Sequence, residues 1–138
     1  MKKGIYYVTV IASALVGLWH FFVPWMFRWY DYLPTQYGNL IVGIDWVNFC
    51  FSFLLFGLSI MLTVLGKKAL ELNKEVIYFY FFLTAVWVFR ACLAAFIEPW
   101  PLEPVPAAAI GQLVASILLA ALMIFVSVSF IKAIKRVS

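Results

Sequence analysis

The chain has 138 residues, of which 67% are hydrophobic, 20% aromatic and only 12% charged, and its mean hydropathy is +1.05. A water-soluble domain carries about 45–50% apolar and about 25% charged residues, so this composition excludes one. The net charge of +4 and pI of 9.2 do not indicate a nucleic-acid module, because the ten Lys and Arg form no polar face.

Four apolar runs are each long enough to cross a hydrocarbon core of about 30 Å, which takes roughly 20 helical residues. The first runs from Ile5 to Phe27. Lys2, Lys3 and the small Ala12-Ser13-Ala14 tripeptide resemble a secretory leader with its cleavage pattern. The apolar run nevertheless continues through Leu15, Val16, Leu18, Trp19 and Phe21, so an uncleaved first helix is expected. The second run is Leu40 to Leu65, the third Val76 to Ile97 and the fourth Ala107 to Ile131. Between the last two, Glu98 to Pro106 holds four of the six prolines and should be extended and stiff. It ends one helix and starts the next, or offers a docking ligand to an outside partner. Membrane β-strands would alternate over about ten residues, whereas Phe49 to Leu58 and Ile117 to Val126 are continuously or nearly continuously apolar. The expected fold class is all-α: an integral membrane four-helix bundle, one four-span domain over residues 1–138 with no soluble appendage.

Basic residues orient the spans. Lys2 and Lys3 precede the first, Lys67, Lys68 and Lys74 separate the second and third, and Lys132, Lys135 and Arg136 follow the fourth. The other two connections hold Arg28 alone as a base, beside Asp31, Glu98 and Glu103. Both termini and the middle loop are therefore expected to be cytoplasmic, with Trp25, Trp29, Tyr30, Tyr32, Tyr37 and Trp100 at the outer interface and Tyr6, Tyr7 and Tyr78 at the inner. The many Phe read as lipid-facing bulk. The expected location is a cell membrane, the cytoplasmic membrane of a bacterium.

Polar side chains avoid lipid, so the faces that carry them mark the bundle interior. Residues three or four apart share a helical face. That rule groups Thr9, Ser13, Gly17, His20 and Pro24 on the first span, and Asp45, Asn48, Ser52, Ser59 and Thr63 on the second. On the third it groups Trp87, Arg90, Ala94 and Glu98 with Thr84 at the edge, and on the fourth Gln112, Ser116, Ala120 and Ser127. At about 1.5 Å per residue, His20 and Arg90 lie roughly 21–22 Å from the inner ends, and Asp45, Asn48 and Gln112 roughly 8–12 Å from the outer ends. These five fall in one layer in the outer third, with Glu98 just above. The inner two-thirds carries only Ser and Thr besides apolar residues.

An ionised group at such depth costs about 2.5–3.5 kcal/mol even on the mild insertion scale, for a site near the centre. Arg90 cannot shed its proton and needs an anionic or carbonyl partner. Asp45 is the economical one and Glu98 its competitor. Besides snorkelling of Arg90 to the outer interface, two readings follow. The layer is a structural ion pair that pins helix register, with Asn48 and Gln112 satisfying leftover donors; or it lines an outward cavity in which Arg90 receives a polar or anionic ligand beside a titratable His20. The leading functional expectation is a small non-enzymatic binding or accessory protein, whose partners would be the bilayer, a small ligand, a second copy or another membrane protein. One rival is a dimeric small-molecule transporter. The other is a membrane enzyme or quinone-linked redox subunit using His20 and Asp45 as acid and base.

Other chemistry lacks its residues. Cys50 and Cys92 sit in different spans without a C-x-x-C and read as buried small apolar residues. One His offers neither a zinc set nor two haem ligands, so no cofactor is expected. Gly17, Gly43, Gly57 and Gly111 stand singly within helices, where close packing is the usual role. Gly43-Ile44-Asp45 and Leu54-Leu55-Phe56-Gly57 resemble the small four-span bacterial membrane proteins of the DoxX type. The resemblance covers about one span. The first helix, Gly17-Leu18-Trp19-His20-Phe21-Phe22-Val23-Pro24-Trp25, departs from that pattern, and no functional residue is transferred. Small multidrug resistance transporters are similar in size, but the first span lacks their membrane-embedded Glu.

Overall fold

The computed structural model describes residues 3–33, 36–97 and 106–137. All its elements are helical: α1 (Lys3–His20), α2 (Val23–Met26), α3 (Trp29–Tyr32), α4 (Gly38–Val64), α5 (Gly66–Leu70), α6 (Lys74–Cys92) and α7 (Pro106–Val137). The end of α6 runs on into a π-helical turn, Leu93–Ile97. Among the described residues, three segments are long and apolar enough to cross a membrane: Gly38–Val64, Lys74–Ile97 and Ala109–Arg136. These correspond to the second, third and fourth apolar runs.

The first run is not one continuous helix. It stops at His20, turns at Phe21 and Phe22, and resumes as α2. The 18 residues of α1 rise about 27 Å, slightly short of a core of about 30 Å. Pro24 explains the break. A proline has no N–H for the carbonyl four residues earlier, and its ring collides with that carbonyl; the residue four before Pro24 is His20.

α1 lies along α4, α4 meets α6, α6 lies along α7, and α7 returns to α1. α1 and α6 meet across the middle through side chains. Tyr6, Tyr80, Trp87 and Phe130 are at most 1% exposed and fill this centre, with Tyr6 and Tyr80 stacked at 5.1 Å. Tyr6 is therefore a core residue and not an interfacial anchor. Its hydroxyl donates to the Leu62 carbonyl at 2.8 Å, at the C-terminal turn of α4 where carbonyls lack helical partners. The outward faces carry Val8, Leu15, Val47, Phe53, Phe82 and Leu118 among other exposed apolar side chains. Lipid, not water, tolerates such a surface.

Among Gly17, Gly43, Gly57 and Gly111, close packing holds for Gly17 alone. A Cβ there would lie 2.6 Å from the Phe56 backbone nitrogen, whereas at Gly43, Gly57 and Gly111 it would meet nothing within 4 Å. Cys50 and Cys92 are exposed and not buried. Each lies two residues from an inward-facing neighbour, Asn48 or Ser52 and Arg90, and two helical residues turn a side chain about 200° to the far face.

Candidate functional site

The polar stripes face inward and are linked in chains whose donors can be assigned. Ser59 gives its proton to the Leu55 carbonyl at 2.7 Å. The 2.8 Å contact between Ser13 and Ser59 is then a donation from Ser13. Trp87 Nε1 donates in turn to Ser13 Oγ at 2.9 Å. Thr9 donates to the Tyr6 carbonyl at 2.7 Å, so Tyr80 supplies the proton of the 2.8 Å Thr9–Tyr80 bond. Among the described residues, no buried side-chain nitrogen or oxygen lacks a hydrogen-bond partner.

At the His20 end the arrangement changes. Asn48 Nδ2 donates to the His20 carbonyl at 3.0 Å, the very carbonyl that Pro24 leaves without a helical donor. The His20 ring contacts the Val16 carbonyl through Nδ1 at 2.8 Å and Arg90 Nη1 through Nε2 at 3.2 Å. A carbonyl only accepts and a guanidinium only donates. The imidazole is therefore neutral, with its hydrogen on Nδ1 and its lone pair on Nε2. Arg90 Nε donates to Ser116 Oγ at 3.3 Å, Ser116 having passed its own proton to the Gln112 carbonyl at 2.7 Å. The guanidinium also lies over Trp87, 5.7 Å from the ring centroid.

The predicted Asp45–Arg90 ion pair does not form. Asp45 Oδ1 instead accepts from the Tyr30 hydroxyl at 2.8 Å. Burial, and then the neighbouring Asp45 carboxylate, hold the Tyr30 phenol above its ordinary pKa, which keeps it the donor. The only ion pairs among the described residues are the exposed Arg28–Asp31 and Lys67–Glu71. Arg90 thus carries a full charge against neutral partners, and of its five donor hydrogens the described residues engage two. Since no buried polar atom among the described residues is unpartnered, Nη2, which has no partner among them, faces open space. Glu98, the other acid considered for Arg90, lies outside the described residues, as does most of the proline-rich segment.

That space is a cavity of about 210 Å³ between α1, α2, α4 and the π-helical turn, walled by Trp19, Val23, Phe27, Trp29, Leu93 and Ala94. His20, Asn48, Arg90 and Gln112 are its polar lining. Two further cavities also reach Arg90, one of about 750 Å³ along α4 and one of about 310 Å³ between α1 and α7. Four of the six residues picked out in the sequence thus share one space, Asp45 lies outside it, and Glu98 is not described. Ser116 was read from its stripe, though not as a ligand of Arg90. Trp19 and Trp29 were missed as walls, because an aromatic beside a polar position carries no signal of the side it closes.

No family model, curated protein or solved structure matches the chain. The likeness of Gly43-Ile44-Asp45 to DoxX-type proteins accordingly stays local, and the reading below rests on geometry alone.

Proposed function

We propose that the chain is a multi-pass cell-membrane protein, a four-helix bundle of α1, α4, α6 and α7 with cytoplasmic termini, whose outer cavity binds an anionic group at Arg90 without transforming it. The first span, which joins the three long apolar helices, is α1 continued by α2. Its inward stripe of Thr9, Ser13 and Gly17 is buried, while Val8, Ile11, Leu15 and Leu18 on its other face are exposed, as contact with lipid requires. The basic clusters at Lys2–Lys3, Lys67–Lys74 and Lys132–Arg136 support the orientation.

The observation that carries the functional reading is the guanidinium of Arg90, held by a neutral imidazole and a hydroxyl with donors left on a cavity. A charge at this depth is stabilised by an anion, and planar N–H pairs suit a carboxylate or phosphate. His20 and Asn48 bring neutral polar atoms that orient a ligand without competing for its charge. A transporter needs the polar path to continue inward, where Tyr6, Tyr80, Trp87 and Phe130 instead fill the centre. The acid–base reading needs His20 and Asp45 within reach of one another, yet they share neither a hydrogen bond nor a cavity.

The test is thermal unfolding of the purified protein in dodecyl maltoside micelles, with inorganic phosphate or acetate against chloride at matched ionic strength. An anion present at ten times its Kd stabilises the native state by about 1.4 kcal/mol. The shift is expected in the parent and in Arg28→Gln, and absent in Arg90→Gln. No shift with either anion, or an equal shift in Arg90→Gln, refutes the reading.

A further inference from the structure

We infer that the ligand of this site is a single-chain anionic amphiphile taken from the surrounding leaflet, with its headgroup on Arg90 and its chain in the groove between α4 and the π-helical end of α6. The inference rests on the anion-binding reading and adds the class of molecule and its route.

The cavity of about 750 Å³ has two chemically different ends. One holds Arg90, His20 and Asn48; the remainder is walled mainly by Leu40, Gly43, Ile44, Val47, Phe51 and Leu93. It runs beside α4 from Asn39 to Phe51, about 18 Å of helix. Leu40, Gly43, Val47 and Leu93 are also surface residues, with Val47 71% exposed. The groove therefore opens sideways onto lipid over part of its length.

A free inorganic anion would satisfy Arg90 but leave the apolar walls without a matching occupant. A hydrocarbon alone would fill the walls and leave a guanidinium unmatched. One molecule with a small anionic head and an apolar chain answers both. Lipid chains are as apolar as the groove, so the chain gains little by moving from bilayer to protein, and preference must come from the head. The head must also be small. Arg90 lies seven residues before Ile97, roughly 10 Å below the end of the helix, and between that end and Asn48 the described lining offers a bulky zwitterion only Asn39 as a strongly polar escort. A carboxylate on one chain fits these limits.

Gly43 provides the discriminating variant. A Cβ there meets nothing within 4 Å, so the backbone has room for a side chain, and Gly43→Leu places one at a wall of the groove. Gly111 is likewise open but lines the smaller cavity between α1 and α7, which makes Gly111→Leu the matched control.

The probe is a stearate brominated at mid-chain, titrated into dioleoylphosphatidylcholine vesicles containing the full chain and read by quenching of its six tryptophans. The methyl ester of the same acid reports quenching from the bilayer at large. The acid is expected to quench in excess of the ester in the parent and in Gly111→Leu. Arg90→Gln should weaken that excess roughly ten- to hundredfold, as loss of hydrogen bonds to a charged group does. Gly43→Leu should abolish it while keeping the stabilisation by acetate or phosphate. Acid and ester quenching the parent equally, while acetate or phosphate still stabilises it, overturns the amphiphile and leaves a free-anion site. Excess lost in Gly111→Leu but kept in Gly43→Leu overturns the groove. Failure of every anion, small or chained, removes the underlying reading as well.

Discussion

Gly17→Ala tests the contact on which the placement of α1 depends. The Cβ it adds would stand 2.6 Å from Phe56 N, 2.9 Å from Phe56 Cα and 3.1 Å from the Leu55 carbonyl carbon. All three are backbone atoms, so no side chain can swing aside. Ordinary contact begins at 3.4 Å, and α1 and α4 must part by roughly 0.8 Å to reach it. Overpacking of this kind costs about 1–3 kcal/mol, against a helix-propensity gain of about 1 kcal/mol for replacing Gly by Ala. Gly57→Ala supplies the reference, since its Cβ meets nothing within 4 Å and it should show the gain alone. The propensity terms cancel between the two variants, so their difference isolates the helix contact at about 1–3 kcal/mol. The assay is thermal unfolding in dodecyl maltoside micelles followed by circular dichroism. Gly17→Ala should melt several degrees below Gly57→Ala; coincident melts would show that α1 does not approach α4 as described and would undo the reasoning.

Asn48→Leu leaves the His20 carbonyl without its donor and should cost about 1–3 kcal/mol. Pro24→Ala restores a backbone N–H four residues on, so the same change should cost less in that background, and equal costs in a double-mutant cycle would refute the link. Asp45→Asn keeps an oxygen to accept from Tyr30 and should express and melt close to the parent; a large loss would mean that the carboxylate balances Arg90 after all.

The inward stripes were legible because three-to-four spacing is a property of any helix, and Thr9, Ser13, Asn48, Ser52, Ser59 and Ser116 are buried where that spacing sets them. The partner of Arg90 was not. Sequence fixes a residue's height and face but not which neighbour a helix turns toward, and the scarcity of acids pointed to Asp45. What diverts Asp45 is Tyr30 on α3, a four-residue helix too short for any periodicity to announce. The break after His20 was readable in principle, since Pro24 stands four residues on, but within a long apolar run a proline is equally compatible with a kink. Nothing in Leu93-Ala94-Ala95-Phe96-Ile97 marks a π-helical turn, although such turns often accompany functional sites.

These irregularities explain why the three cavities that reach Arg90 lie toward the His20 end. In the other half, Tyr80 and Trp87 cross the gap from α6 to the non-adjacent α1 and Tyr6 reaches the neighbouring α4, and their polar tips end on Thr9, Ser13 and Leu62. Each such tip has a single donor hydrogen and uses it, so that half is both filled and saturated. Toward His20 the filling stops: α1 ends, α6 widens into a π-helical turn, and the bridging side chain is Arg90, whose donors outnumber its described partners. A residue with a backbone N–H in place of Pro24 would let a regular helix return the His20 carbonyl to its own backbone and free Asn48. The helix-breaking proline and the under-partnered arginine are thus parts of one arrangement, a space closed toward the centre with unused donors at its base. That geometry is the support for the proposed binding role over the transporter.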